Sequence, residues 1–235
     1  MYKRIVIKLS GEALANENSL YDNETITNIL TDIKTVSQKG VQVAIAVGGG
    51  NIWRGRQGED MDPVKADQMG MLSTVINAMY LCDRFKALGQ DAEVFTPFTV
   101  GNFTSNYSKE QANAALNAGK VIIFGGGIGH PFFSTDTVPV LRACELEADC
   151  VFFAKNVSGI FDKDPNKYPD AKHLPKTTYR EIIQQDLEAI DIAAMVLCEK
   201  NKIPSFVFSL NHPHSIELAA MKSEQTLDFG TIIEY

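Results

Sequence analysis

Short apolar runs rich in β-branched residues recur at positions 3–9, 41–47, 92–96, 120–124, 150–154 and 204–208, each with the length and composition of a buried strand. Helical patterns lie between them. Ile26, Ile29, Leu30 and Ile33 recur at spacings of three and four, opened by Asp22 or Asn23 and closed by Gly40, which predicts a helix with one apolar face. Met69, Leu72, Ile76 and Met79 mark an apolar face on a second helix, suited either to the chain's own core or to a subunit contact. Strands that alternate with helices favour a mostly parallel sheet covered on both sides. The expected fold class is therefore α/β, a three-layer α/β/α sandwich around a mostly parallel central sheet. The stretch Phe161 to Asp170 breaks the alternation with two prolines and many turn residues, and reads as a surface hairpin or loop. No repeat, low-complexity tract or long Gly/Ser linker marks a boundary, so residues 1–235 are expected to form a single domain.

Composition narrows the classes. Every apolar run is far shorter than the roughly 18 to 20 residues of a membrane span, so no membrane partner is expected. The segment Met1 to Lys8 turns polar again too soon for the apolar core of a signal peptide, and the expected location is cytoplasmic. Cys82, Cys144, Cys150 and Cys198 are scattered without a C-x-x-C pair and read as reduced core thiols. A formal charge of −7 argues against broad capture of nucleic acid, which relies on clustered Lys and Arg. Any phosphate ligand must be met by a local positive field.

Three polar or glycine-rich turns follow expected strands directly: Lys8-Leu9-Ser10-Gly11-Glu12, Gly48 to Gly55, and Gly125 to Asp136. At the carboxyl edge of an open α/β sheet such turns gather where ligands bind. Glycine lets backbone N–H groups approach an anion, and a following helix N-terminus adds partial positive charge. Asn51 and one of Ser134, Thr135 or Asp136 are plausible N-caps, with Pro139 then in the first helical turn. A single glycine turn often serves only tight packing; three of them at one edge point to phosphate binding. The chain has no G-x-x-x-x-G-K-[ST] loop and no G-x-G-x-x-G in the first βα turn, which excludes the two commonest phosphate-binding patterns.

Phosphoryl transfer needs positioning and charge neutralisation more than a protein nucleophile. Lys8 ends an otherwise apolar strand, where a charge needs a partner, and Arg54 sits four residues past Gly50. Asp191, flanked by apolar residues, is a candidate partner for such a lysine and also a candidate N-cap.

Taken together, Lys8 to Glu12, Gly48 to Gly55, Ala66 to Leu72, Pro131 to Asp136 and the closing Gly230-Thr231-Ile232-Ile233 resemble the bacterial uridylate kinases, which have the amino-acid-kinase fold, and they run in that family's order along the whole chain. The resemblance implies transfer of the γ-phosphoryl group of ATP to UMP, with Mg²⁺ arriving on ATP and no dedicated protein ligand for it. It implies catalytic roles for Lys8, Arg54, Asp136 and Asp191, with Asp191 holding Lys8 in place and Arg54 bridging the two phosphates. Lys8, Leu9, Ser10, Gly11, Gly50, Arg54, Lys155, Phe161 and Asp164 would serve ATP. Gly49, Asp67, Ile128, Gly129, His130, Pro131, Phe132, Phe133, Ser134 and Thr135 would serve UMP, with Asp67 taking the ribose hydroxyls. A homohexamer built from dimers is implied as well.

The chain departs from the family pattern in three places. His130 stands where many relatives have asparagine, Ser158 replaces a common aspartate, and Leu14 to Tyr21 lacks the glycine-rich effector loop of some members. Activation by GTP is therefore not carried over. Competing readings are a kinase of the same fold acting on a carboxylate, carbamate or isopentenyl phosphate, and a nonenzymatic nucleotide sensor. A small acceptor would have no use for Asp67, and a sensor no need for Lys8, Arg54 and Asp191 together.

Overall fold

The computed structural model describes residues 1–54, 60–155, 157–165, 167–187 and 190–235; Gly55 of the second glycine turn, with Asn156, Asn166, Glu188 and Ala189, lies outside them. Its strands are β1 (Arg4–Leu9), β2 (Gln42–Val47), β3 (Ala92–Thr96), β4 (Ser105–Asn106), β5 (Val121–Phe124), β6 (Cys150–Lys155), β7 (Ile160–Phe161), β8 (His173–Leu174), β9 (Lys176–Thr178), β10 (Ser205–Ser209) and β11 (Gly230–Glu234). The helices are α1 (Asn23–Gln38), α2 (Pro63–Ala87), α3 (Lys109–Asn117), α4 (Thr137–Leu146), α5 (Tyr179–Gln184), α6 (Ile192–Asn201) and α7 (Ser215–Ala220). Among the described residues, a nine-stranded sheet runs in the order β4-β3-β5-β2-β1-β6-β10-β11-β9. Every pair in it is parallel except β10 with β11.

Alternate residues of each strand feed two apolar layers. Ile5, Ile7, Leu9, Val43, Ile45, Phe152 and Phe208 face α1, α2 and α7. Val6, Ala44, Ala46, Val151, Phe153 and Val207 face α3, α4, α5 and α6. This is the expected three-layer arrangement, and the six apolar runs fall on β1, β2, β3, β5, β6 and β10. The stretch after Phe161 is a hairpin: β7 pairs antiparallel with β8 beside the main sheet.

Helix starts follow local chemistry. Asp22 caps α1 through the N–H groups of Glu24 and Thr25, and Thr178 with Glu181 forms a capping box on α5. The expectation that Asn51 caps a helix is overturned. Helix α2 begins twelve residues later, where Asp62 caps the N–H groups of Val64 and Lys65 and Pro63 takes the first turn. Asn51 instead donates to Leu20 O at 3.0 Å and exchanges hydrogen bonds with the Asn77 side chain.

Helix α2 also decides between the two uses of its apolar row. Met69, Leu72, Ile76 and Met79 are 38%, 52%, 51% and 39% exposed, so the row faces outward. The buried positions of α2 beside the glycine turns are mostly small or polar, with Ala66, Ser73, Thr74, Asn77 and Ala78 around Val75. Space is the reason: a Cβ on Gly49 would lie 2.8 Å from Ser73 Cβ and 3.0 Å from Gly70 O, so nothing large fits between α2 and the second glycine turn.

Candidate functional site

Strands β5, β2 and β1 are neighbours that all point the same way, so the turns that follow them emerge side by side, next to where the chain crosses from β5 through α4 to β6 on the far side of β1. All three line one cleft of about 300 Å³. Lys8, Ser10 and Gly11 come from the first turn, Gly49, Gly50 and Arg54 from the second, and Ile128, His130, Phe133, Ser134 and Thr135 from the third; Asp67 completes the wall from α2.

Close packing of the first two turns needs glycine at position 11. A Cβ there would meet Gly50 N at 2.6 Å, Asn51 Oδ1 at 2.7 Å and Gly48 O at 2.9 Å. From the other side Asn77, fully buried on α2, donates to Gly48 O at 2.7 Å and to Asn51 Oδ1 at 2.7 Å, and accepts from the Tyr21 hydroxyl at 2.9 Å. The second turn is thus clamped between β1 and α2, with the N–H groups near Gly49 and Gly50 directed by the clamp rather than by a helix start.

At the cleft floor, Lys8 Nζ lies 3.2 Å from Asp136 Oδ1, both side chains nearly buried. Lys155 Nζ lies 4.0 Å from the other carboxylate oxygen. Burial pulls the Lys155 ammonium below its ordinary pKa, with Asp136 opposing that shift and Lys8 adding to it. Asp136 stands at the start of α4 without a side-chain cap bond, so its carboxylate turns to the two lysines rather than to its own helix. The expectation that Asp191 holds Lys8 is corrected accordingly. The Asp191 carboxylate caps α6 through Ala193 N and Ala194 N, and its own N–H donates to Asp136 Oδ2 at 3.4 Å. Among the described residues, Asp191 is linked to the lysine through Asp136.

Asp136, Lys155 and Asp191 border a second crevice of about 440 Å³, walled by Ile182, Ile183, Leu187, Ile190 and Met195, with Ser134 shared between the two. The other residues expected at the nucleotides are spread more widely. Leu9 is fully buried in the core and offers the site only its backbone, its carbonyl accepting Gly48 N–H at 2.8 Å. Gly129, Pro131 and Phe132 belong to the third turn without lining the cleft. Phe161 packs against the His173 ring and Asp164 pairs with Lys167 at 3.4 Å; both sit on the β7–β8 hairpin and border neither crevice. Arg54 rests on the rim, its guanidinium reaching Gly50 O at 3.2 Å and Glu12 at 3.1 Å. Both partners of that last pair are more than half exposed, so it adds little stability.

The third turn is tied to α2 at two points. Gly126 N–H donates to Thr74 Oγ1 at 2.7 Å, and Phe132 N–H donates to Asp67 Oδ2 at 2.7 Å. Thr74, Asn77 and Glu12 were not among the candidates drawn from sequence. Thr74 and Asn77 carry a usable signal: counted from Asp67 they fall at i+7 and i+10, a polar stripe on one helix face.

A model of the amino acid kinase family matches residues 3–209. Among solved structures, UMP kinase from Bacillus anthracis is 32% identical with a TM-score of 0.93, the match covering 99% of this chain and 96% of that one. UMP kinase from Ureaplasma parvum is 33% identical with a TM-score of 0.93 and full coverage of both chains.

Gly11→Ala forces a methyl group into backbone atoms that cannot yield separately. It is expected to cost about 1–3 kcal/mol by chemical denaturation and to weaken ATP binding by calorimetry. Wild-type values in both would show that the two turns do not need this close approach.

Proposed function

The chain belongs to the amino acid kinase family and, within it, stands with the UMP kinases; from that membership we propose that it moves the γ-phosphoryl group of ATP directly onto the phosphate of UMP, giving ADP and UDP. The observation that carries the proposal is the single cleft in which all three strand-end turns meet, with Lys8 at its floor and Asp67 on its wall. Two anionic nucleotides need a shared, locally positive crevice, and two lysines around one carboxylate leave such a field in a chain of net charge −7.

In the mechanism, an oxygen of the UMP phosphate attacks the γ-phosphorus while the bond to the bridging oxygen of ADP breaks, with no covalent protein intermediate. The backbone N–H groups of the first two turns orient the phosphates. Lys8, fixed by Asp136, meets the charge on the transferring group. Asp191 steadies Asp136 through its main-chain N–H, and Arg54 swings from the rim onto the phosphates. Asp67 receives the ribose of UMP, while the third turn surrounds uracil. Lys155 and the β7–β8 hairpin serve the ATP side. Mg²⁺ bound with ATP would supply charge neutralisation at its phosphates; Asp136, already turned to two ammonium groups, would leave such a metal to phosphates and water. On this reading the chain works in the cytoplasm, on the route to pyrimidine nucleotides.

The outward row Met69, Leu72, Ile76 and Met79 supports a homohexamer built from dimers, with this face of α2 packed against its copy. Light scattering after size exclusion is expected to give a hexamer for the wild type and smaller species for Leu72→Glu; a wild-type monomer at micromolar concentration would overturn the assembly.

In a coupled ADP-release assay UMP should be phosphorylated far better than CMP, AMP, glutamate, aspartate or carbamate. Lys8→Ala should lower kcat by about 100- to 1000-fold while UMP binding changes little. Comparable rates with the small acceptors would sink the proposal, and binding of UMP and ATP without ADP release would make the chain a sensor.

A further inference from the structure

The geometry points to a second task for Asp67: through the Phe132 N–H it holds the third turn, residues 126–132, in its working shape, so that this turn's order and acceptor binding are coupled. The second half of the statement rests on UMP being the acceptor; the first does not. Phe132 has a backbone φ of 66°, a left-handed conformation that is costly for a residue with a Cβ. Its ring is 73% exposed, so packing of the side chain does not maintain that conformation. What meets its N–H is a charged acceptor at 2.7 Å, a stronger bond than one to a neutral oxygen.

The tie has a counterpart. Seven residues on, nearly two helical turns, Thr74 projects from the same face of α2 and takes Gly126 N–H at 2.7 Å. The turn that carries Ile128 and His130 into the cleft is thus suspended from α2 at both ends. Among the described residues Asp67 Oδ1 accepts no hydrogen bond, so one carboxylate oxygen holds the turn while the other is left for a ligand in the cleft that Asp67 lines. A ribose hydroxyl on Oδ1 would stiffen the carboxylate that anchors Phe132, and an ordered turn would in return present Asp67 to the ribose. Asp67 is then a positioning residue as well as a binding one.

Hydrogen exchange of the nucleotide-free protein tests the first half. Asp67→Ala is expected to speed exchange of the Phe132 amide about tenfold, the scale of one lost hydrogen bond to a charged group, while the Gly126 amide keeps wild-type protection and reports that the fold is intact. Asp67→Asn, which retains one carbonyl acceptor, should restore most of the protection. Unchanged Phe132 exchange in Asp67→Ala would overturn the proposal. The coupling is tested with 2′,3′-dideoxyuridine monophosphate, which has no ribose hydroxyl to lose. If Asp67 only bound the ribose, wild type and Asp67→Ala would use it equally, and that result contradicts the second task. The expected result is a kcat/KM still about tenfold lower in Asp67→Ala, with Asp67→Asn between them. Failure of the wild type to turn over UMP would refute the acceptor reading instead, and the nucleotide-free exchange would still decide whether Asp67 holds the turn.

Discussion

The inward polar stripe of α2 is the constraint on which the site depends. Two glycine-rich turns end in mid-air beyond the sheet, and each leaves backbone groups that neither strand nor helix satisfies. Asn77 takes up Gly48 O, Thr74 takes up Gly126 N–H, and Asp67 takes up Phe132 N–H. A buried polar group left unpaired costs about 1–3 kcal/mol, so the two buried bonds, from Asn77 and Thr74, fix where the turns lie, and the exposed one from Asp67 adds a third tie. Their small side chains matter as much as their polarity, since Gly49 sits against Ser73 and Gly70 at distances that admit no extra methyl group. The same helix sets Met69, Leu72, Ile76 and Met79 on the opposite, outward face.

Electrostatics follows from this scaffold. The chain as a whole is acidic, yet Asp136 draws together Lys8 from the cleft and Lys155 from the neighbouring crevice, two ammonium groups on one carboxylate. A lysine at the end of an apolar strand could not stay charged without such a partner. The partner comes from the start of α4, across the adjoining layer, and Asp191 braces it with a backbone N–H.

Much of the framework was legible because it rests on local pattern. Buried strands read as unbroken apolar runs, and glycines placed at three strand ends mark a shared edge once those strands are adjacent and parallel. The Asp62-Pro63 start of α2 is a local signal of the same kind, an N-cap followed by proline in the first turn. The orientation of α2 was not readable from periodicity, because an apolar row looks the same whether it faces the core or a partner. The exposure of that row and the close contact of Gly49 with Ser73 settle which side faces the sheet. The choice between Asp136 and Asp191 was hidden for another reason. Both are carboxylates at helix starts, and which one reaches Lys8 depends on how α4 and α6 pack over β1, a relation between segments far apart in the chain. The hairpin residues Phe161 and Asp164 show the same limit: turn chemistry indicates a hairpin, not what it leans over.

The central claim is that donor and acceptor phosphates meet in one cleft formed by three strand-end turns. A crystal structure with UMP and a nonhydrolysable ATP analogue bound together tests it most directly. The account predicts the UMP phosphate beside Gly49 and Arg54, the ribose on Asp67, and the γ-phosphoryl group in line with a UMP oxygen and in contact with Lys8. Either set of phosphates bound away from the Lys8 and Gly49 turns would contradict it.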